Sequence, residues 1–469
     1  MGLTGYAQMT ATDNCDKKNN APDKSWRETI SPDNVKLRRS IHYSLWDGIF
    51  CTGMVALTET FAVAAAIALK VPVLAIAIMG SMPLFIGSIG QFLFPSIIDS
   101  KKGRKFYVVI SVFLQGSLLT FCAVSGLFPL PLSTWIFVIS FIASACSGNA
   151  TASLWIAWMG ELIPKEIRGR VFAWRNRLHA ITHLICVLTV GFIARKHSAG
   201  TTPWSFFIVL FIAAGFFRLV SALFLAFQHE PPPTSLKRSN VLKFNFKKPF
   251  ILYATATALL QGATAIAGPF FNVWYIRDLG FNYLTLSICT ASVILGTVLF
   301  LPLWGKISDL KGNYFVMRLC SISLALIPLP YLFFESKYAI WAFNFYSGIC
   351  WSGFNLANFN YLLEACGEDD KDKKISFVTV LSGVSVFLFG LLGGYLAPRL
   401  PIIFDWRVQS LFLLSSVTRI AVVVTLFQML DKHVAIHSLK SALEIFNSIP
   451  GYRSGMGVLR TMLRAFRRQ

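Results

Sequence analysis

Residues 55–69 read VALTETFAVAAAIAL, fourteen apolar or hydroxylated residues around one carboxylate, Glu59. A charge inside such a run is costly unless it is paired, protonated or facing water. With its flanks the run is long enough to cross a bilayer as one helix, which needs about 20 mostly apolar residues. It also has an echo. The motif ALTE at 56–59 returns as ALLQ at 258–261, with an amide in place of the acid. A membrane helix that recurs once, some two hundred residues later, sets the frame for the rest of the chain.

Composition agrees. Of 469 residues 55% are hydrophobic and only 14% charged, against roughly 25% charged in water-soluble domains. The net charge of +21 does not indicate nucleic acid, because the basic residues sit between apolar segments rather than on one amphipathic face. Nine cysteines are scattered without a CxxC or a flanking histidine, a pattern that offers neither a metal site nor a disulfide framework. No metal or cofactor is expected. No nucleotide-binding G-x-x-x-x-G-K-[ST] occurs, and no nucleophile–base pair marks an enzyme.

Twelve apolar segments are expected at roughly 44–69, 72–98, 106–127, 133–158, 172–194, 204–228, 250–276, 281–303, 314–334, 338–363, 376–398 and 407–430. With the N-terminus in the cytosol, 34 of the 43 Lys and Arg fall on the cytosolic side, as the positive-inside rule requires. Both termini are therefore expected to be cytosolic. The chain divides into a tail over 1–43, expected to be partly disordered, a first half over 44–228, a basic central loop over 229–249, a second half over 250–430 and a basic tail over 431–469. The last tail carries Val458, Leu459, Met462, Leu463 and Phe466 at helical spacing among arginines. That pattern suits either a helix on an anionic membrane surface or a solvated tail.

Further coincidences support a duplication. Trp204 pairs with Trp406, Arg218 in segment 6 with Arg419 in segment 12, and Glu161 after segment 4 with Glu364 after segment 10, all at offsets of 201 to 203. The links after segments 2 and 8 hold Asp99 and Gly103, and Asp309 and Gly312. The expected fold is all-α: twelve transmembrane helices in two pseudo-symmetric six-helix bundles.

These residues resemble the major facilitator superfamily. GKISDLKGN after segment 8 fits its G-x-x-x-D-x-x-G signature as Gly305, Asp309 and Gly312, and ELIPKEIRGR follows segment 4. The first-half copy, PSIIDSKKGRK, has Pro95 for the leading glycine and one extra residue before Gly103, with Arg104 and Lys105 next. The basic start of segment 5, GRVFAWRNRLHAITH, is nearer a poorly characterised bacterial branch than the sugar porters, whose paired glutamines are reduced here to Gln261.

The resemblance implies that Asp99, Arg104, Glu161, Arg168, Asp309, Gly312 and Glu364 latch the cytosolic side and release during transport. Glu161 to Arg168 and Glu364 to Lys371 share one spacing. The alternative is ordinary interfacial charge, and the repeat favours the latch.

The resemblance also implies that segments 1, 4, 7 and 10 line a central cavity. Their polar and aromatic residues are Glu59, Asn149, Gln261, Asn272, Trp274, Tyr275, Asn344, Trp351, Asn355 and Asn358, a mixture suited to a small-molecule pocket or to hydrogen bonds between helices. Glu59, the one acid near the midplane, has two readings. It carries a coupling proton or binds a cationic group, or it pairs with Arg218 as a strut mirrored by Arg419 and Gln261. His179 and His183 share one helical face but lack a third ligand, so packing or hydrogen bonding is their expected role.

The expected function is secondary active transport of a small solute by alternating access, coupled to a proton or another ion. The competing reading is a non-transporting receptor or assembly factor of transporter shape. A monomer in the plasma membrane is expected, the inner membrane if the source is bacterial, with the lipid bilayer as its setting.

Overall fold

The computed structural model describes residues 35–97, 103–198, 202–231, 246–366 and 371–431, and contains no strand among them. The described chain is built from twelve long helices. They are α1 (Val35–Ala68), α2 (Val73–Ile97), α3 (Gly103–Val124), α4 (Leu132–Leu162), α5 (Lys165–Ile193) and α6 (Trp204–Phe227), followed by α7 (Lys248–Val273), α8 (Tyr283–Lys311), α9 (Asn313–Leu326), α10 (Lys337–Cys366), α11 (Lys371–Leu396) and α12 (Arg407–Val422). Runs this apolar become helices because a segment in lipid must close its own backbone hydrogen bonds.

Three helices outrun their apolar cores. α1 starts at Val35 rather than near 44, α5 at Lys165 rather than near 172, and α8 continues to Lys311 rather than stopping near 303. For α1 and α5 the cause is packing: Leu37, Ile41 and Leu45 join Val108, Ile167 and Val171 in a separate apolar cluster. Eleven helices are long and apolar enough to span a membrane, and α10 is the exception. It is 30 residues long but carries Asn344, Asn355, Asn358 and Asn360.

Local breaks have local causes. α4 is interrupted at Thr151, just after Gly148 and Asn149. α7 contains Pro269 and passes into a wide π turn over Trp274–Asp278, and α12 does the same over Val423–Phe427.

Twelve passes put Val35 and Asp431 on one face, the terminal face; the other is the far face. The halves, α1–α6 and α7–α12, meet along α2 with α11 and α5 with α8. The α2–α11 seam is built from small residues in antiparallel register. Gly383 faces Ser88, Gly390 faces Ser81 and Gly394 faces Ala77, with Phe85 stacked on Phe387 at 4.8 Å between them. A Cβ on Gly390 would stand 2.8 Å from that of Ser81, and one on Gly394 2.7 Å from that of Ala77, so no larger side chain fits the present spacing.

The far face is sealed around Tyr283 at the start of α8. Its backbone N–H donates to His197 O at 3.3 Å, and its hydroxyl accepts from Thr202 Oγ1 at 2.9 Å. Phe61 meets its ring edge-on at 5.7 Å, and Phe206 stacks on it at 5.6 Å.

Candidate transport cavity

The terminal face repeats one arrangement in each half. Arg104 Nη1, at the start of α3, pairs with Glu161 Oε2 at the end of α4 at 2.6 Å. Asn313 Nδ2, at the start of α9, donates to Glu364 Oε1 at the end of α10, and the same asparagine accepts from Ser308 and Asn360. Arg168 does not pair with Glu161. It folds back onto the carbonyls of Ile163 and Gly160 at the end of α4, where a cation meets the negative end of the helix dipole. In the second half Lys374 does the same for the carbonyl of Cys366. The side chain of Lys371 and the whole of Asp99 lie outside the described residues. Asp309 is exposed.

Gly312 and Gly103 both take left-handed backbone, at φ 86° and 72°, as only glycine does cheaply. The extra residue in the first-half link thus leaves its terminal turn intact. At Gly103 the turn is held by Glu230, whose Oε1 accepts from the backbone N–H groups of Arg104 and Lys105 at 2.6 and 3.0 Å, an acidic cap on α3.

Deeper in the first half a polar network was only partly legible in advance. Asp47 of α1, 2% exposed, accepts from Arg175 Nη2 of α5 at 3.0 Å and from Ser221 Oγ of α6 at 2.7 Å. Ser221 Oγ in turn accepts from Arg218 Nη1 at 3.2 Å, and Arg218 Nε donates to Gln115 Oε1 of α3 at 2.6 Å. The Arg175 guanidinium lies 4.4 Å over the ring of Trp155 from α4. Five helices share this network, and the two buried cations are held by one carboxylate and an amide.

The strut reading is thereby corrected. Arg218 spends its donors on Gln115 and Ser221, not on Glu59. Arg419 does not hold Gln261 either: its Nη1 donates to the Leu324 carbonyl at 2.9 Å, while Gln261 Nε2 donates to Ser382 Oγ at 3.4 Å. Arg175, which the sequence reading did not single out, is a third buried arginine. The missed signal was spacing, since Arg175, His179 and His183 recur every four residues along one face of α5.

Glu59 is exposed. It stands eleven residues beyond Gly48, about three helical turns, and so shares the face of α1 that meets α5. Gly48 itself abuts His179 and Arg175. The Glu59 carboxylate acts electrostatically on His183, whose ring is 4% exposed.

The other candidates divide. Trp274 and Tyr275 do not line an open cavity: both are buried in an aromatic block with Phe271, Tyr331 and Phe412, in which Phe271 stacks on Phe412 at 4.2 Å. Asn344 Nδ2 donates to the Tyr275 hydroxyl at 3.1 Å, and Asn358 Oδ1 accepts from the Tyr253 hydroxyl at 2.8 Å, so both tie α10 to α7. Asn149 Nδ2 donates to Ala145 O one turn back. Gln261, Asn272, Trp351 and Asn355 remain partly exposed. Among the described residues no cluster of three or more His, Cys, Asp or Glu is placed to hold a metal.

Comparison places this architecture among known ones. Residues 253–464 match the Major Facilitator Superfamily model. No curated protein matches the chain in sequence. Among solved structures it is similar to a D-xylose–proton symporter, at 13% identity over 84% of this chain and 97% of that one, TM-score 0.66. The nucleoside transporter NupG gives 13% identity, 84% and 100% coverage and a TM-score of 0.60. A bacterial homologue of the iron transporter ferroportin, in an inward-facing state, gives 13%, 84%, 99% and 0.59. At such identities the likeness is one of fold.

Proposed function

We propose that the chain is a transporter of the major facilitator superfamily, whose model matches residues 253–464, and that it is a secondary active transporter coupling movement of a small solute to a proton held at Glu59. The observation that carries this reading is the exposed carboxylate of Glu59, the one acid of α1 beyond Asp47, in a stretch otherwise made of apolar and hydroxylated residues. A carboxylate there costs free energy in every cycle unless it has work to do. Proton exchange supplies that work, since the charge changes when one side of the protein opens.

The two halves rock about the α2–α11 and α5–α8 seams. The sealed far face around Tyr283 favours assignment of this conformation as open toward the terminal face. With the basic residues counted above, the terminal face is cytosolic. The partly exposed amides Gln261, Asn272 and Asn355, with Trp351, supply directional hydrogen bonds and a flat wall for the solute. Arg104–Glu161 and Asn313–Glu364 brace the terminal ends of each half, so that each moves as a body.

The test starts from a thermal-shift screen of the purified chain against small metabolites at two pH values, followed by uptake of the best hit into proteoliposomes under an imposed pH gradient. Glu59→Gln is expected to retain counterflow exchange and to lose gradient-driven accumulation. Accumulation by Glu59→Gln at the wild-type level, abolished in both by a protonophore, refutes the assignment of Glu59.

A further inference from the structure

The outer face of α1 and α6 carries a stripe that the transport reading leaves unused. Lys36, Arg39, Tyr43, Trp46 and Phe50 follow one another at steps of three and four residues, so they share one side of α1. Lys36 and Arg39 are exposed, and so is Trp46, at 50%. α6 completes the surface. The Phe224 ring stacks on Trp46 at 6.2 Å and on Phe50 at 5.7 Å. Tyr43 lies 6.2 Å from Phe224 and 5.9 Å from Phe227, and Phe217 meets Phe50 edge-on at 5.8 Å. Phe217 is seated against Gly53, where a Cβ would stand 2.6 Å from its ring. From Arg39 to Phe50 the stripe runs about 16 Å along the helix, half the depth of a hydrocarbon core roughly 30 Å thick.

Facing lipid does not by itself call for such a surface. The repeat-related positions in the second half are Asn245, Lys248 and Leu252 for Tyr43, Trp46 and Phe50, and Thr418 and Thr425 for Phe217 and Phe224. None is aromatic, although a bilayer asks the same of both halves. Charge marks the same end of the stripe. Lys36 and Arg39 make no ion pair among the described residues, and the nearby acids are engaged elsewhere, Asp47 with Arg175 and Glu230 on the start of α3. We propose that this face holds an anionic phospholipid, with its phosphate on Lys36 and Arg39 and one acyl chain along Tyr43, Trp46, Phe50 and Phe224. Each juxtamembrane cation contributes about a fivefold preference for an anionic headgroup, and the flat rings give the chain a continuous apolar wall. The site stands back to back with the buried network. Asp47 directly follows Trp46, and Ser221 lies between Phe217 and Phe224, so the lipid clamps α1 to α6 from outside while Asp47 and Ser221 tie them from within.

The experiment is tryptophan fluorescence of the full-length chain in mixed nanodiscs of phosphatidylcholine and phosphatidylglycerol, with bromine on the acyl chains of one lipid or the other at equal, small mole fraction. The share due to Trp46 is the difference between wild type and Trp46→Phe, which keeps an aromatic ring at the site. Brominated phosphatidylglycerol is expected to quench that share with a preference of about 25-fold over brominated phosphatidylcholine, two cations acting together. Lys36→Gln and Arg39→Gln, with unchanged melting temperatures as the check on folding, should each reduce the preference about fivefold. Equal quenching by the two lipids makes this an ordinary lipid-exposed face and overturns the proposal. A preference that survives Lys36→Gln/Arg39→Gln does the same, because the headgroup is then read elsewhere. Absence of Trp46 quenching by either lipid, as when a second copy or the chain's own tail covers the face, also refutes it. So does relief of quenching by inorganic phosphate, which assigns the cations to a free anion. Uptake plays no part in the readout, so the result stands apart from that for Glu59.

Discussion

Asp47→Asn tests the first-half network directly. The substitution keeps the shape of the side chain and removes its charge, so that the buried Arg175 loses its ion pair with Asp47. At the observed 3.0 Å, one unit pair in an effective dielectric of about 20 contributes roughly 5 kcal/mol. Deleting one partner of a buried pair costs about 3–5 kcal/mol in practice. With the first half as the unfolding unit and about 2–4 °C per kcal/mol for a unit of that size, the melting temperature in detergent should fall by about 10 °C. Arg175→Met alone should cost a similar amount, because Asp47 then keeps only Ser221. The double variant Asp47→Leu/Arg175→Met should recover most of the loss, since an apolar replacement of a whole buried pair is often neutral or better. A wild-type melting temperature for Asp47→Asn, or strictly additive losses in the double variant, refutes the claim that this pair organises the half.

Three further expectations follow from the same geometry. Arg419→Met should leave the melting temperature unchanged or raise it, because its described partner is a backbone carbonyl and no carboxylate is stranded; Arg218→Met should lower it by a few degrees, and equal effects at both sites would contradict the asymmetry. Gly390→Leu should wedge the α2–α11 seam at Ser81 and shift double electron–electron resonance distances toward a terminal-closed, far-open state, and an unchanged distribution would count against a tight seam. In a cysteine-free background, Arg399→Cys should label with a membrane-impermeant maleimide in intact cells and Glu166→Cys only after permeabilisation; the reverse pattern overturns the orientation.

Much of the architecture was legible because lipid leaves few choices: apolar length, basic loops and a repeat near 202 residues suffice for twelve helices in two halves. The repeat also anticipated that Glu161 and Glu364 occupy matching corners. It did not reveal their partners, because Arg104 and Asn313 play matching parts with unlike side chains. The strut was misread for a related reason. Arg218 and Arg419 correspond in position, but Gln115, Ser221 and Asp47 have no polar counterparts in the second half, where Leu324 offers only its carbonyl. Sequence spacing locates a residue on its own helix and says little about which of several neighbours it will reach. Trp274 and Tyr275 illustrate this: the π turn rotates them into the aromatic block, a change of face that no 3.6-residue wheel through α7 anticipates.

The wetness of α10 bears on how the chain is made. Inserted residue by residue, a segment with four asparagines and a lysine at its start gains too little from lipid to remain there alone. Its amides need Tyr275, Tyr253 and Asn313 already beside them, and these belong to α7 and α9, which are synthesised earlier. α10 therefore enters the bilayer as the guest of a partly assembled second half rather than as an independent span. During biogenesis this helix is the one most dependent on company, and substitutions that remove its hosts, such as Tyr253→Phe or Tyr275→Phe, should reduce the yield of correctly inserted protein before they alter anything the mature protein does.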